Sequence, residues 1–136
     1  MSKPRILFVC VHNAGRSQMA AAFARELGRG RVEVLSAGSA PAASIHEGVH
    51  AAMREIGIDL SEETPKLLSA ESVREADAIV TMGCGDACPV FPGKRYQDWS
   101  IPDPKGLPPE GVRRIRDEIR DRVLELLRRL GVAAAP

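Results

Sequence analysis

The sequence predicts an α/β protein: a single-domain, doubly wound parallel four-stranded sheet flanked by helices. Three observations carry that prediction. Short runs such as Ile6-Leu7-Phe8-Val9 are apolar at every position, the mark of strands buried on both faces. Strand-like and helix-like segments alternate from one end to the other, which calls for crossover connections and therefore parallel strands. No repeat or linker divides the 136 residues, so 1–136 is expected to be one domain with one main core.

The first strand, Ile6 to Val9, leads through Cys10 and a turn into a helix, Gln18 to Leu27, rich in Ala and free of Gly and Pro. Gly28 and Gly30 punctuate before a second strand over Val32–Ala37, and Gly38-Ser39-Ala40-Pro41 reads as a turn. Ile45, Val49, Met53 and Ile56 recur at helical spacing, so a second helix is expected over 45–56, capped near Ser44 and stopped by Gly57. A short helix over 67–76, with Ser69 and Ser72 as candidate caps, precedes a third buried strand, Asp77 to Met82. Tyr96 to Trp99 completes the sheet, and Ser100 to Pro109 is a proline-rich loop. From Glu110 onward Val112, Ile115, Ile119, Val123, Leu126, Leu127 and Leu130 form one apolar stripe of a long helix, stopped by Gly131 and followed by a frayed tail. The arginines of this helix alternate with acids, as on a solvated face, with Arg114–Glu118 and Glu118–Arg122 as attractive i,i+4 pairs.

A net charge of +1 gives no reason to expect nucleic acid or an anionic membrane as partner. No apolar run approaches the twenty residues of a membrane span and no signal-peptide pattern opens the chain, so the cytoplasm is the expected location. In that compartment three cysteines point to catalysis, redox chemistry or metal binding rather than structural cross-links.

Cys10 is the first candidate nucleophile. It sits between a strand end and a helix start, where outward-pointing amides and the helix dipole favour a thiolate. Arg16 adds a cation whose planar fork matches two oxygens of a tetrahedral oxyanion, and Ser17 can donate a hydroxyl hydrogen bond to the sulfur. Asn13 and Gly15 tolerate the positive φ of a tight anion-binding loop. An inert core cysteine is the bland alternative, which the Cys-(x)5-Arg-Ser spacing disfavours.

Cys84 and Cys88 lie beyond the third strand, at the same sheet edge as Cys10, separated by Gly85-Asp86-Ala87. Gly83 and Gly85 permit backbone rearrangement, as a dithiol that opens and closes would need. Half of a zinc site and two unrelated thiols are the rival readings. Asp103, held extended by Pro104, is a candidate general acid, although Asp-Pro is also an ordinary turn dipeptide. His46 and His50 are four apart but lack further ligands at metal spacing, and are read as helix-edge residues.

The stretch Val9 to Ala20 resembles the signature loop of the low-molecular-weight tyrosine-phosphatase fold, and Ser36-Ala37-Gly38, Asp103-Pro104 and the closing helix follow in that fold's order. Within it, Cys84 to Pro89 and Trp99 to Pro104 resemble the three-cysteine arsenate reductases. The resemblance implies that Val11, His12, Asn13, Ala14, Gly15, Arg16 and Ser17 bind arsenate or a phosphate-like oxyanion. It implies that Cys10 attacks arsenate, that Asp103 protonates the leaving oxygen, and that a disulfide passes from Cys10–Cys84 to Cys84–Cys88. An external reductant, thioredoxin or mycothiol with mycoredoxin, would regenerate the thiols, with no cofactor. A monomer is expected. Some relatives hold potassium through an acidic residue in the first helix; the matching position here is Ala21, and no metal is expected. Phosphatases of this fold follow Asp-Pro with Tyr, whereas Lys105 stands here among only five aromatic residues in the chain. Phosphomonoester hydrolysis through Cys10, Arg16 and Asp103 is the alternative enzyme activity. An oxyanion- or redox-responsive binding domain is the non-catalytic one.

Overall fold

The computed structural model describes residues 3–83 and 95–132. Cys84, Gly85 and Cys88, and the tail beyond Val132, lie outside the described residues. The elements run β1 (Arg5–Cys10), α1 (Arg16–Gly28), β2 (Glu33–Gly38), α2 (Glu47–Arg54), α3 (Ala70–Glu75), β3 (Ala78–Thr81), β4 (Arg95–Asp98) and α4 (Pro109–Arg129). The strands form one parallel sheet in the order β2-β1-β3-β4. From β1 the chain winds through α1 to β2 on one side, then crosses back through α2 and α3 to β3 on the other, so the crevice beyond the carboxyl end of β1 is the topological switch point where such sheets bind ligands.

The period of two in β1 sorts its side chains. Ile6, Phe8 and Cys10 face a core shared with Met19, Phe23, Ile119 and Leu126 of α1 and α4, while Leu7 and Val9 face a smaller cluster with Ala37, Val73 and Ile79. Burial on both faces is why the strand is apolar throughout. Trp99, just past β4, is buried with its ring 5.9 Å from that of Phe8.

Local chemistry sets the helix ends. Ser69 Oγ accepts from the Ser72 amide at 3.1 Å, an N-cap as expected. Pro109 begins α4, where its missing N–H costs nothing, and the predicted apolar stripe is buried up to Leu127, with Leu130 half-buried. Glu118 and Arg122 pair at 3.6 Å.

Three expectations are corrected. The second helix is capped by His46 without a side-chain bond, not by Ser44, because the His46 amide donates to Ala14 O at 3.0 Å and holds the chain extended there. Ile56 lies beyond the end of α2 and is exposed, since the helix stops at Arg54 before Gly57 at φ +83. Arg116 is not on a solvated face: it is buried, donating to Ala52 O at 2.8 Å and Glu55 Oε1 at 2.9 Å.

Candidate active site

Residues 10–15 have all their carbonyls engaged on the outside of the loop. Cys10 O, Val11 O, His12 O and Ala14 O accept from the amides of Ser39, Ala40, Ala42 and His46 at 3.3, 2.8, 2.9 and 3.0 Å. Asn13 O accepts from Gln18 Nε2 at 3.1 Å, and Gly15 O from the Met19 amide at 3.0 Å. In a trans peptide the following N–H points opposite to the carbonyl. Turning the carbonyls outward therefore turns the amides of the loop inward, which makes a nest for an oxyanion. The end of β2 closes on this loop through Gly38, where a Cβ would lie 2.6 Å from Val11 O and 2.9 Å from Asn13 N.

Cys10 is 2% exposed, and its Sγ lies 2.9 Å from Ser17 Oγ. The hydrogen-bond direction can be read along the chain. The Lys66 backbone amide, which can only donate, reaches Asn13 Oδ1 at 2.8 Å. Asn13 Nδ2 is thus the donor to Ser17 Oγ at 2.6 Å, and the hydroxyl proton of Ser17 is left for the sulfur. A sulfur receiving that proton as acceptor is suited to be the nucleophile. Asn13 takes φ +50, the left-handed conformation expected of it.

Gly15 departs from expectation. Its φ is −147°, not positive. Glycine matters there because a Cβ would stand 3.1 Å from Pro104 Cγ, so it lets the Asp103-Pro104 loop approach. Arg16 Nη1 donates to Ile101 O at 3.0 Å, and Nη2 lies 3.8 Å from Asp103 Oδ2. Asp103 Oδ1 accepts from the Lys105 amide at 3.0 Å. The candidate acid and the candidate anion-binding cation are therefore held together over the loop. On the other side, a Cβ at Gly83 would fall 2.2 Å from Arg16 Nη1, and Gly83 has φ +74. The chain leaving β3 thus crosses the guanidinium immediately before position 84.

Val11 and His12 are half-buried at the mouth, and Asn13 to Ser17 are buried. His46 borders the same mouth: burial holds its imidazole below the usual value of 6.5, Asp103 opposes that shift, and Lys105 and His12 add to it. Ala21 is fully buried and has no side-chain oxygen, so this position does not fit a carboxylate-held potassium. Among the described residues, no group of three His, Cys, Asp or Glu side chains is arranged to hold a metal. No helix among them is long and apolar enough to cross a membrane.

The structure brings Cys10, the loop to Ser17 and Asp103 to one crevice. Sequence reasoning missed Gln18, Ile101, His46 and the Lys66 amide as parts of it. Gln18 left a faint signal, as a polar residue directly before the apolar run Met19 to Ala24, and His46 was noticed only as a helix-edge residue.

Comparison with known proteins agrees with this geometry. The family model described as low molecular weight phosphotyrosine protein phosphatase matches residues 5–134. A putative arsenate reductase of Halobacterium salinarum is 44% identical over 124 residues, covering 88% of this chain and 87% of that protein. Among solved structures, the thioredoxin-dependent arsenate reductase Cg_ArsC1' of Corynebacterium glutamicum superposes with a TM-score of 0.84 at 43% identity; the alignment covers 95% of this chain but 62% of that one. An arsenate reductase in the phosphate binding state gives a TM-score of 0.83 at 32% identity, with 93% and 98% of the two chains covered. With nearly its whole length matched and the candidate nucleophile, arginine and aspartate gathered at the switch point, this chain belongs to the low molecular weight phosphotyrosine protein phosphatase family.

Proposed function

We propose that the protein reduces arsenate to arsenite through a three-thiol relay. The observation that carries this reading is the path of the chain across Arg16 at Gly83, immediately before Cys84. A hydrolase needs no cysteine at the next position in the chain. The resemblance of Cys84 to Pro89 to the reductases, and the arsenate reductase relatives, support the same choice.

In this reading the inward amides of 11–17 and Arg16 hold arsenate with its arsenic opposite Cys10 Sγ. The Cys10 thiolate attacks arsenic, a sulfur–arsenic bond forms, and one oxygen leaves as water with a proton from Asp103. The Cys84 thiolate then attacks Cys10 Sγ. The sulfur–arsenic bonding pair goes to arsenic, which falls from the +5 to the +3 state and leaves as arsenite, while Cys10 and Cys84 become a disulfide. Attack by Cys88 on Cys84 Sγ moves the disulfide to Cys84–Cys88 and frees the Cys10 thiolate. An external thiol reductant, thioredoxin or mycothiol with mycoredoxin, reduces that disulfide to two thiols and is itself oxidised to a disulfide. Electrons come from thiols throughout, so no organic cofactor enters the cycle.

The family also contains phosphatases, and Cys10, Arg16 and Asp103 suffice for phosphomonoester hydrolysis. Cys84→Ser separates the two readings. Arsenite release should vanish while hydrolysis of an aryl phosphate, however slow, persists. If arsenite release continues at the wild-type rate in that variant, the relay is wrong. Parallel assays with thioredoxin and with mycothiol–mycoredoxin identify the reductant.

A further inference from the structure

Beyond Arg16 and Ser17, Gln18 is the only polar residue that α1 buries. Its Nε2 faces three oxygens: Asn13 O at 3.1 Å, Asn13 Oδ1 at 3.0 Å and Thr64 O at 3.2 Å. Two of these are backbone carbonyls, which only accept, so the side-chain amide cannot be turned round. That orientation leaves Gln18 Oε1 buried without a hydrogen-bond partner among the described residues. A buried orphan carbonyl is destabilising, and an unbranched apolar side chain of similar length would avoid it. Set against the bonds its nitrogen makes, that orphan leaves glutamine little net gain in stability here.

What its nitrogen does is specific. Of the six carbonyls that brace residues 10–15, Asn13 O is the one held by a side chain; the others are held by backbone amides. The same nitrogen also holds Asn13 Oδ1, the oxygen that accepts from Lys66 and so sets the direction of the hydrogen bonds running to Cys10. We propose that Gln18 is a positioning residue for the nucleophile: by gripping Asn13 at both oxygens it fixes the inward Ala14 amide and the Asn13–Ser17–Cys10 chain. This deepens the reductase reading of the same loop and rests on it for its meaning, but its test needs no arsenate turnover.

The test uses Gln18→Met in the full-length reduced chain. Two readouts are taken: the pH profile of Cys10 alkylation by iodoacetamide, separated from Cys84 and Cys88 by peptide mass spectrometry, and protection of Cys10 by inorganic phosphate. The profile should move to higher pH, with alkylation at neutral pH slowed about fivefold to tenfold and the half-protecting phosphate concentration raised to a similar degree. The thermal midpoint should stay level or fall slightly, because the orphan carbonyl is gone but Asn13 O loses its donor, while Asn13 Oδ1 and Thr64 O keep the Lys66 amide and Lys66 Nζ. Gln18→Glu keeps the shape but sets a carboxylate against three oxygens; it should move both readouts the same way, and it carries the test should the Met variant not fold. If both readouts stay within about twofold of wild type in the folded variants, Gln18 is a packing residue and the proposal falls. A wild-type protein that released no arsenite would sink the reductase reading and leave the alkylation result standing.

Discussion

The two halves of the crevice are held by different means. On the nucleophile side, every carbonyl from Cys10 to Gly15 has a donor, Asn13 is gripped at both ends, and Cys10 is 2% exposed. On the acid side, the Asp103 side chain is 43% exposed and is held by a 3.8 Å approach to Arg16 and by the amide of its own neighbour Lys105. The contrast suits the proposed chemistry. Attack at arsenic or phosphorus requires fixed geometry at the sulfur and its amides, where a small displacement is costly. Proton delivery requires a group that also reaches water, so that it can be recharged between turnovers. Damage to the first half should abolish binding and chemistry together, whereas damage to the second should separate them.

Asp103→Asn offers the largest such separation. The shape is kept and the proton is lost, so kcat for arsenite release should fall about 100-fold at neutral pH. Phosphate should inhibit as well as before or better, because a carboxylate no longer stands 3.8 Å from Arg16 beside the incoming anion. Steady-state assays with phosphate as competitor measure both. A kcat loss below about fivefold would show that Asp103 is not the acid and would dissolve the contrast between the halves.

Gly83→Ala comes next, and it strikes the shared arginine. Two penalties combine there: φ of +74 strains any L side chain, and the new methyl would sit 2.2 Å from Arg16 Nη1. The backbone strain should cost about 1–3 kcal/mol of stability in a denaturant titration. Displacing a guanidinium anchored to Ile101 O should raise KM for arsenate about tenfold. Gly15→Ala is its milder counterpart. The positive φ of Gly83 is absent there, and the methyl crowds Pro104 Cγ at 3.1 Å, which must yield by a few tenths of an ångström, with ordinary contacts to Pro104 Cδ and His46 Cδ2. A fall in kcat of about twofold to fivefold, with KM and the melting point unchanged, is expected from pushing back the acid loop alone. Equal effects from both substitutions would mean that the halves move as one body.

How far these features could be read in advance depended on the sequence distance over which each is determined. β1, its loop and the start of α1 were legible because one uninterrupted stretch encodes them: an apolar run, a Cys-(x)5-Arg-Ser spacing and an alanine-rich helix. The α4 stripe was legible for the same reason, through a periodicity of its own. Gly83 was expected to give freedom to the loop that follows; its crowding against Arg16 depends on a distant contact that no local pattern reveals. Ser44 had the right chemistry for a cap, but the His46 amide was already committed to Ala14 O, again across elements. Arg116 looked solvated because Asp117 and Glu118 follow it, and only the packing of α2 against α4 brought Ala52 O and Glu55 to bury it. Asp103 was legible as a candidate because proline marks it, while its distance from Arg16 was not.

That α2–α4 contact supplies the smallest expected effect on activity and a control for the rest. Glu55 accepts from Arg113 Nε and Nη2 at 3.0 and 2.7 Å and from Arg116 Nη1 at 2.9 Å. The Arg113 hydrogen bonds, with Arg116 adding, hold its carboxyl down from 4.5 to about 2. A carboxyl depressed in the folded state stabilises it above the unfolded value, and loses that contribution as pH falls through the folded one. Glu55→Gln should therefore melt below wild type at pH 7, and the gap should close progressively between about pH 4.5 and about pH 2. The pair is exposed enough that the gap at neutral pH should be small, and smaller still in high salt. Activity at neutral pH should stay within about twofold, because the clamp touches neither the loop nor Asp103. Melting curves across that range, paired with turnover at pH 7, decide the point. A large kcat loss would mean that the clamp sets the position of His46 at the head of α2, and that bracing of the nucleophile loop extends through the helix to its far end.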